Sequence, residues 1–260
     1  MWREQLYEWL ERNYARYNQP HFIDNDPIQI PHRFKRLQDV EIAAFITATL
    51  AWGQRKTIID NCSQWLLMMD NAPYDFVLNH QESDLKPIAQ FKHRTFNGTD
   101  ALYFIYFLAN HYRQHASLET AFAQHLQPHD QHIGSALIGF HQLFFSLDAA
   151  PLRTHKHVAT PQKNATCKRL NMFLRWMVRR DQHGVDFGLW QQIKPAQLLI
   201  PLDVHVERVA RHVGLLQRSK TDWKAVLELS EQLKQFDPQD PIKYDFALFG
   251  YGVNGANWKG

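Results

Sequence analysis

The sequence predicts an all-α protein. Three observations carry the helical class. Apolar residues recur at three- and four-residue spacing along nearly the whole chain, no apolar–polar alternation runs long enough to make a strand, and clusters of Pro, Asn and Asp punctuate the chain at helix-length intervals. No internal repeat or low-complexity tract interrupts this pattern.

The first helix is set by Trp2, Leu6, Trp9 and Leu10, with Tyr14 one turn further on. Residues 19–36 read as a loop, marked by Pro20, Asp24-Asn25-Asp26-Pro27 and Pro31, and end in the basic run His32-Arg33-Phe34-Lys35-Arg36. A strongly apolar helix spans Asp39 to about Ala51, Trp52-Gly53-Gln54 breaks it, and another starts near Arg55. Residues 71–97 are irregular, with Pro73, Pro87 and Asn97-Gly98 as punctuation. Helices follow at Ala101–Tyr112, Leu118–Leu126 and Ile133–Leu147, then a loop from Asp148 to about Ala165, then a basic helix. Beyond Gly184 the pattern gives short segments and helices near 204–213, 222–234 and 241–250.

Composition narrows the function classes. A chain of 260 residues can bury a substantial core as one domain or two small lobes. No apolar run reaches about 18 residues, so no membrane span is expected. Met1-Trp2-Arg3-Glu4-Gln5 lacks signal-peptide character, which makes the cytoplasm the expected location. With only Cys62 and Cys167, the chain cannot build a four-cysteine iron–sulfur cluster or zinc ribbon by itself. No cofactor or resident metal is expected.

Charge is unevenly placed. The whole chain is +3, yet residues 151–180 carry eight Lys/Arg (Arg153, Lys156, Lys163, Lys168, Arg169, Arg175, Arg179 and Arg180) and no Asp or Glu. Such a patch suits a polyanion, because each neutralised phosphate releases counterions; a solvated helix face would look the same on charge alone. Within the basic helix Leu170, Phe173, Leu174 and Met177 define one buried stripe, and Lys168, Arg175 and Arg179 fall roughly opposite it. Lys168 lies in the first turn, where the helix dipole disfavours a cation and, with Arg169 and Arg175, lowers its proton affinity. That suits either an amine nucleophile or a phosphate contact. Trp176 and Met172 flank the cationic face, as core residues or as contacts to a base or sugar.

The second constellation is Leu202-Asp203-Val204-His205-Val206-Glu207. Asp203 is placed to cap the helix carried by Val206, Val209, Ala210 and Val213, and a capping carboxylate is held rigid and ionised. Asp203, His205 and Glu207 alternate as metal ligands on a strand would, but on a helix His205 points away from the other two. The Pro128-His129-Asp130-Gln131-His132 cluster has no partner motif.

The run Pro201-Leu202-Asp203-Val204-His205-Val206-Glu207-Arg208-Val209-Ala210-Arg211-His212-Val213-Gly214-Leu215 resembles the V-D-T-H-V-x-R-V-A-x-R-L-G-L segment of the helix-hairpin-helix DNA glycosylase superfamily, which includes endonuclease III and 8-oxoguanine glycosylases. Residues 41–54 are similar to that superfamily's early F-x-x-L-V-x-x-I-L-S-x-Q helix, and Tyr244–Gly252 to its last helix. The run from Lys168 to Arg179 is similar to one in an uncharacterised bacterial family of about this length. Together these segments make up about a fifth of the chain.

The resemblance implies a single unit of two helical lobes, one of residues 37–202 and one of 1–36 plus 203–260, with double-stranded DNA bearing a damaged base or abasic site in the cleft. It implies a monomer that flips the target nucleotide and excises the base as a hydrolase, with or without abasic-site lyase activity. Lys168 and Asp203, 35 positions apart, are the implied nucleophile and catalytic carboxylate. Lys163, Asn164, Arg169, Arg175 and Arg179 are the expected nucleic-acid contacts. The hairpin here, Thr160 to Lys168, departs from the L-P-G-V-G-x-K-T-A pattern in lacking both glycines, although Asn164 tolerates a left-handed backbone. Aligned on Pro161, the superfamily lysine falls at Thr166, two residues before Lys168. Candidates for an aromatic base pocket are Trp52, Trp176, Phe144 and Trp190. A non-catalytic DNA- or RNA-binding relative of the same fold is the alternative; a metal-dependent hydrolase or a protein-interaction module are more distant ones.

Overall fold

The computed structural model describes residues 2–254. The fold is all-α, as the periodicity predicts. Nine helices of nine residues or more occur among the described residues: α1 (Trp2–Tyr17), α2 (Leu37–Leu50), α3 (Arg55–Leu67), α4 (Gly98–Tyr112), α5 (Gly134–Phe144), α6 (Lys168–Val178), α7 (Val204–His212), α8 (Trp223–Lys234) and α9 (Tyr244–Asn254). The side chain of Trp2, one of the residues read as setting α1, lies outside the described ones.

The chain divides into two compact units, one of Met1–Asp24, Pro128–Gly134 and Thr160–Gly260, the other of Asn25–Gln127 and Ser135–Ala159. Residues 160–202 thus group with the C-terminal helices and not with 37–127, unlike the lobe boundary at Asp203 that the resemblance implied.

In the unit built on α2, that helix is apolar on every side and is buried from Val40 to Leu50. Aromatic rings fill the space around it: Phe45 stacks on Phe104 at 5.3 Å between ring centres and meets Phe140 edge-on at 5.7 Å. The buried carboxylate of Glu41 accepts hydrogen bonds from Tyr112 Oη (2.9 Å) and Leu118 N (3.1 Å). It fixes the turn after α4, and the helix expected over 118–126 is reduced to the single turn Thr120–Ala123. α4 starts at a reciprocal cap in which Asn97 accepts from Thr99 N while its own N–H donates to Asp100. Just before it sits a two-stranded antiparallel ladder, β1 (Lys92–His93) with β2 (Phe96–Asn97), pairing Lys92 with Asn97 and His93 with Phe96. Two residues per strand are too few to leave an alternation in the sequence. The expected irregular stretch 71–97 also holds short helices at Pro73–Asn79 and Leu85–Ala89.

In the other unit α9 is the central element, packed by α1 and α7. Two glycines allow the approach. A Cβ on Gly250 would lie 2.3 Å from the Tyr17 ring, and one on Gly252 would lie 3.0 Å from both Cβ and the carbonyl oxygen of His205. α6 closes this unit, and the segment after it folds back along the helix through Phe187 N to Trp176 O (2.8 Å) and Trp190 N to Met177 O (2.9 Å). Both cysteines are buried and unpaired, Cys62 in the first unit described and Cys167 in this one.

Candidate functional site

Asp203 is positioned by the backbone on both sides of it. Before it, Leu202 N bonds Ile200 O (2.8 Å), and Ile200 N is held by Ser230 Oγ (3.0 Å). After it α7 begins, and Asp203 is the N-cap: its Oδ1 accepts from His205 N (2.8 Å) and Val206 N (2.9 Å). One carboxylate oxygen is therefore spent on the cap. The other, Oδ2, lies 3.8 Å from Lys168 Nζ. Lys168 is about one-third exposed (35 %) and Asp203 one-tenth (11 %), so the pair sits at the surface with the amine outermost. The two residues singled out from sequence as nucleophile and carboxylate are brought together within one compact unit.

The turn that presents Lys168 is made without glycine. Thr160 caps a 3-10 turn over Pro161–Lys163, with Oγ1 accepting from Gln162 N. Asn164 then takes a left-handed backbone (φ 55°), and Cys167 a second one (φ 52°) immediately before α6. Asparagine tolerates that region better than other residues with a Cβ. Here it is also tied down: Nδ2 donates to Asp222 Oδ2 (3.1 Å), and Asn164 O accepts from Trp223 N (3.2 Å). Hydrogen bonds from Arg218 above all hold the Asp222 carboxyl well below the usual carboxylate range. Asn171, wholly buried in the first turn of α6, donates from Nδ2 to Thr166 O (3.1 Å) and lies 3.5 Å from Ile200 O. It links the turn that ends at Lys168 to the segment that leads into Asp203. Lys163 and Asn164 are exposed.

The expectation for Arg175 and Arg179 is corrected. Both were placed on an exposed cationic face, and both are buried, at 4 % and 0 % exposure. Arg175 Nε pairs with Asp186 (3.2 Å), its Nη1 with Asp245, and its guanidinium covers the Phe246 ring at 4.4 Å. Arg179 contacts Asp181 (2.8 Å), Asp186 (3.0 Å) and Asp240 (3.0 Å), and donates to Tyr14 Oη (2.9 Å). Neither guanidinium is available to a phosphate. The physical reason is that α6 is covered on both sides: the stripe Leu170, Phe173, Leu174 and Met177 is buried as expected, and α9 with the 181–190 segment covers the opposite face. Arg169 is partly buried, and desolvation brings its guanidinium down to about 10.

Of the suggested aromatic pocket residues, Trp176, Trp190 and Phe144 are core, and Trp52 alone is partly exposed. His205 turns to the Phe249 ring (5.9 Å) and Gly252 O (3.3 Å), while Glu207 pairs with Arg211 (2.8 Å). No group of three metal-ligating side chains occurs among the described residues.

Sequence reasoning missed Asp245, the buried carboxylate that pairs with Arg175. It is fully enclosed, and burial pushes its carboxyl up to about 6 even though Arg175 opposes the shift; the nearby charge of Asp203 adds to it. An acidic residue in the first turn of an otherwise apolar helix was the available signal. It looked like an ordinary favourable interaction with the helix dipole.

No curated protein and no solved structure matches the chain. A family model does, over residues 26–254, and the chain belongs to that family, described as Protein of unknown function (DUF2400).

Proposed function

We propose that the protein is a DNA repair glycosylase of the helix-hairpin-helix type, removing a damaged base through Lys168 and Asp203. The single observation that supports the reading is the 3.8 Å approach of Lys168 Nζ to the uncapped oxygen of Asp203, at the surface and next to the exposed hairpin residues Lys163 and Asn164. In the proposed reaction Lys168 gives a proton to Asp203 Oδ2 and its free amine attacks the sugar C1′. The C1′–N bond breaks, the electron pair leaves with the base, and the base takes up a proton. The sugar ring then opens: the nitrogen lone pair forms C1′=N as the C1′–O4′ bond breaks, and O4′ takes up a proton shed by the amine nitrogen, which leaves a protonated imine between Lys168 and the opened sugar as the intermediate from which strand nicking proceeds. Asp203 is suited to the proton transfer because its other oxygen is locked by two backbone N–H groups, which fix the carboxylate against reorientation.

The test is borohydride trapping on duplexes containing 8-oxoguanine, uracil or an abasic site. The wild-type protein should give a covalent adduct that Lys168→Gln abolishes, and Asp203→Asn should abolish base release while leaving duplex affinity nearly intact. Retained base release in Asp203→Asn sinks the assignment. No adduct and no base release, with salt-sensitive binding retained, would support a non-catalytic nucleic-acid-binding protein instead.

A further inference from the structure

A cavity of about 260 Å³ opens between α8, the chain around the turn Pro195–Gln197 and the segment 128–134, all within the unit built on α9. It shares no lining residue with the Lys168–Asp203 pair. Leu198, Leu199 and Leu227 form its apolar wall, and such side chains forgo contacts where nothing fills the space beside them. The volume lies near the lower end of the small-molecule range and suits a single ring or a short branched chain. From α8 the cavity takes Leu227, Ser230, Glu231 and Lys234, the i, i+3, i+4, i+7 spacing that puts all four on one helix face. Ser230 is buried (5 % exposed), and its Oγ accepts from Ile200 N (3.0 Å), while its own O–H has no acceptor among the described residues. Lys234 has no carboxylate partner among them either. A lysine in a last turn is favoured by the helix dipole alone, so the distinguishing feature is the buried hydroxyl proton one turn before it. His132, on the facing segment, accepts from Gly134 N at Nδ1 (3.1 Å), which leaves the proton of the neutral ring on Nε2 as a third donor.

We propose that this cavity binds a small organic acid, with its apolar body among the three leucines and its carboxylate taken by Ser230 and Lys234. Hydrogen bonds from these donors to a carboxylate are of the charge-assisted, stronger kind. Glu231 is exposed at the rim and repels a second negative charge, which favours a monocarboxylate over a phosphate ester. The site goes beyond the glycosylase reading and does not rest on it. It does share one group with the backbone that leads to Asp203, because Ser230 Oγ holds Ile200 N, three residues before that carboxylate. A hydroxyl that donates to a ligand becomes a better acceptor, so an occupant strengthens the bond from Ile200 N.

The experiment titrates the full chain, labelled with 15N-isoleucine, with phenylacetate and with its neutral counterpart phenylacetamide, the Ile200 amide signal being identified by Ile200→Val. Phenylacetate should move that signal saturably, with half-saturation at about 1 mM. Phenylacetamide with the wild-type protein, and phenylacetate with Lys234→Gln, should each need about tenfold more, the loss of one charge-assisted bond. Glu231→Gln should tighten phenylacetate by about twofold, the effect of one exposed like charge. Leu227→Trp should abolish the response by filling the cavity while leaving Ser230 and Lys234 in place. The Lys234→Gln arm does not depend on that variant folding, since Lys234 is only partly buried and leaves no partner behind. No saturable change at Ile200 up to about 20 mM phenylacetate overturns the proposal, as does equal half-saturation for the acid and the amide. An undiminished response in Lys234→Gln places the ligand elsewhere and overturns it as well.

Discussion

Replacing Arg179 with methionine separates a buried structural cation from a DNA-binding one. The side chain is wholly buried, so its aliphatic part can be matched by methionine and the loss is that of the charge. A gross attraction of about 5 kcal/mol per pair at 3 Å follows from an effective dielectric of about 20, and desolvation offsets most of it. What remains is set by the carboxylates left behind. Asp186 keeps Arg175 (3.2 Å), and Asp181 keeps Asn18 Nδ2 (2.6 Å) and His183 N (2.8 Å). The Asp240 carboxylate loses Arg179 and is one-quarter exposed (24 %), while its backbone N–H donates to Asp237 Oδ1 (3.0 Å) with or without Arg179. Two of the three orphaned groups thus keep partners, which places the loss near the lower end of the usual range for breaking a buried pair, about 3 kcal/mol.

The sign with pH follows. In wild-type protein burial already raises the Asp240 carboxyl, with Arg179 opposing the shift, whereas Asp181 lies below the ordinary value because Arg179 and its hydrogen bonds outweigh burial. Without Arg179 both rise. A carboxyl raised in the folded state adds stability below its unfolded value and loses it as pH climbs through the folded one. The deficit of the variant should therefore shrink between neutral pH and about pH 4. Urea unfolding followed by circular dichroism at several pH values measures it. A deficit under about 1 kcal/mol at neutral pH, or one that grows on acidification, refutes the buried-cluster account.

Asp203→Ala should lose about 1 kcal/mol of stability with the cap, while Asp203→Asn stays within a few tenths, so equal melting losses would contradict the capping geometry. Asn164→Ala should destabilise by about 1–2 kcal/mol, because alanine is strained at φ 55° and the bond to Asp222 is lost. Asn164→Gly should recover part of that loss, and unfolding midpoints decide. Lys163→Ala should leave stability unchanged within about 0.5 kcal/mol and reduce the salt dependence of duplex binding by about one counterion; a preserved salt slope removes Lys163 from the interface.

The helical class and most long helices were legible because they rest on local periodicity. The helix read over 39–51 is Leu37–Leu50, that over 204–213 is Val204–His212, and that over 222–234 is Trp223–Lys234, with Asp203 and Asp222 as their caps. The pairing of Lys168 with Asp203 came from the resemblance, since nothing local in either segment points to the other. The fate of Arg175 and Arg179 was not legible. Their partners Asp240 and Asp245 lie more than sixty residues away, and one amphipathic stripe does not reveal that a second element covers the other face. The ladder at 92–97 was lost for the opposite reason, being too short to carry a period, while the helix read over 118–126 was too long, since only Thr120–Ala123 is helical.

The two cysteines give each unit its own clock. Cys62 and Cys167 are enclosed, one per unit, and burial pushes each thiol up to about 12, so neither offers a reactive thiolate in the native state at neutral pH. A thiol reagent can modify either one only after its surroundings open. Pulsed alkylation with peptide-level readout would therefore time the opening of the α2 unit and of the α9 unit separately, in the unaltered chain. Equal rates would mean that the units unfold as one cooperative block. Faster labelling of Cys167 would mean that the turn presenting Lys168 breathes on its own, without dragging the aromatic core along.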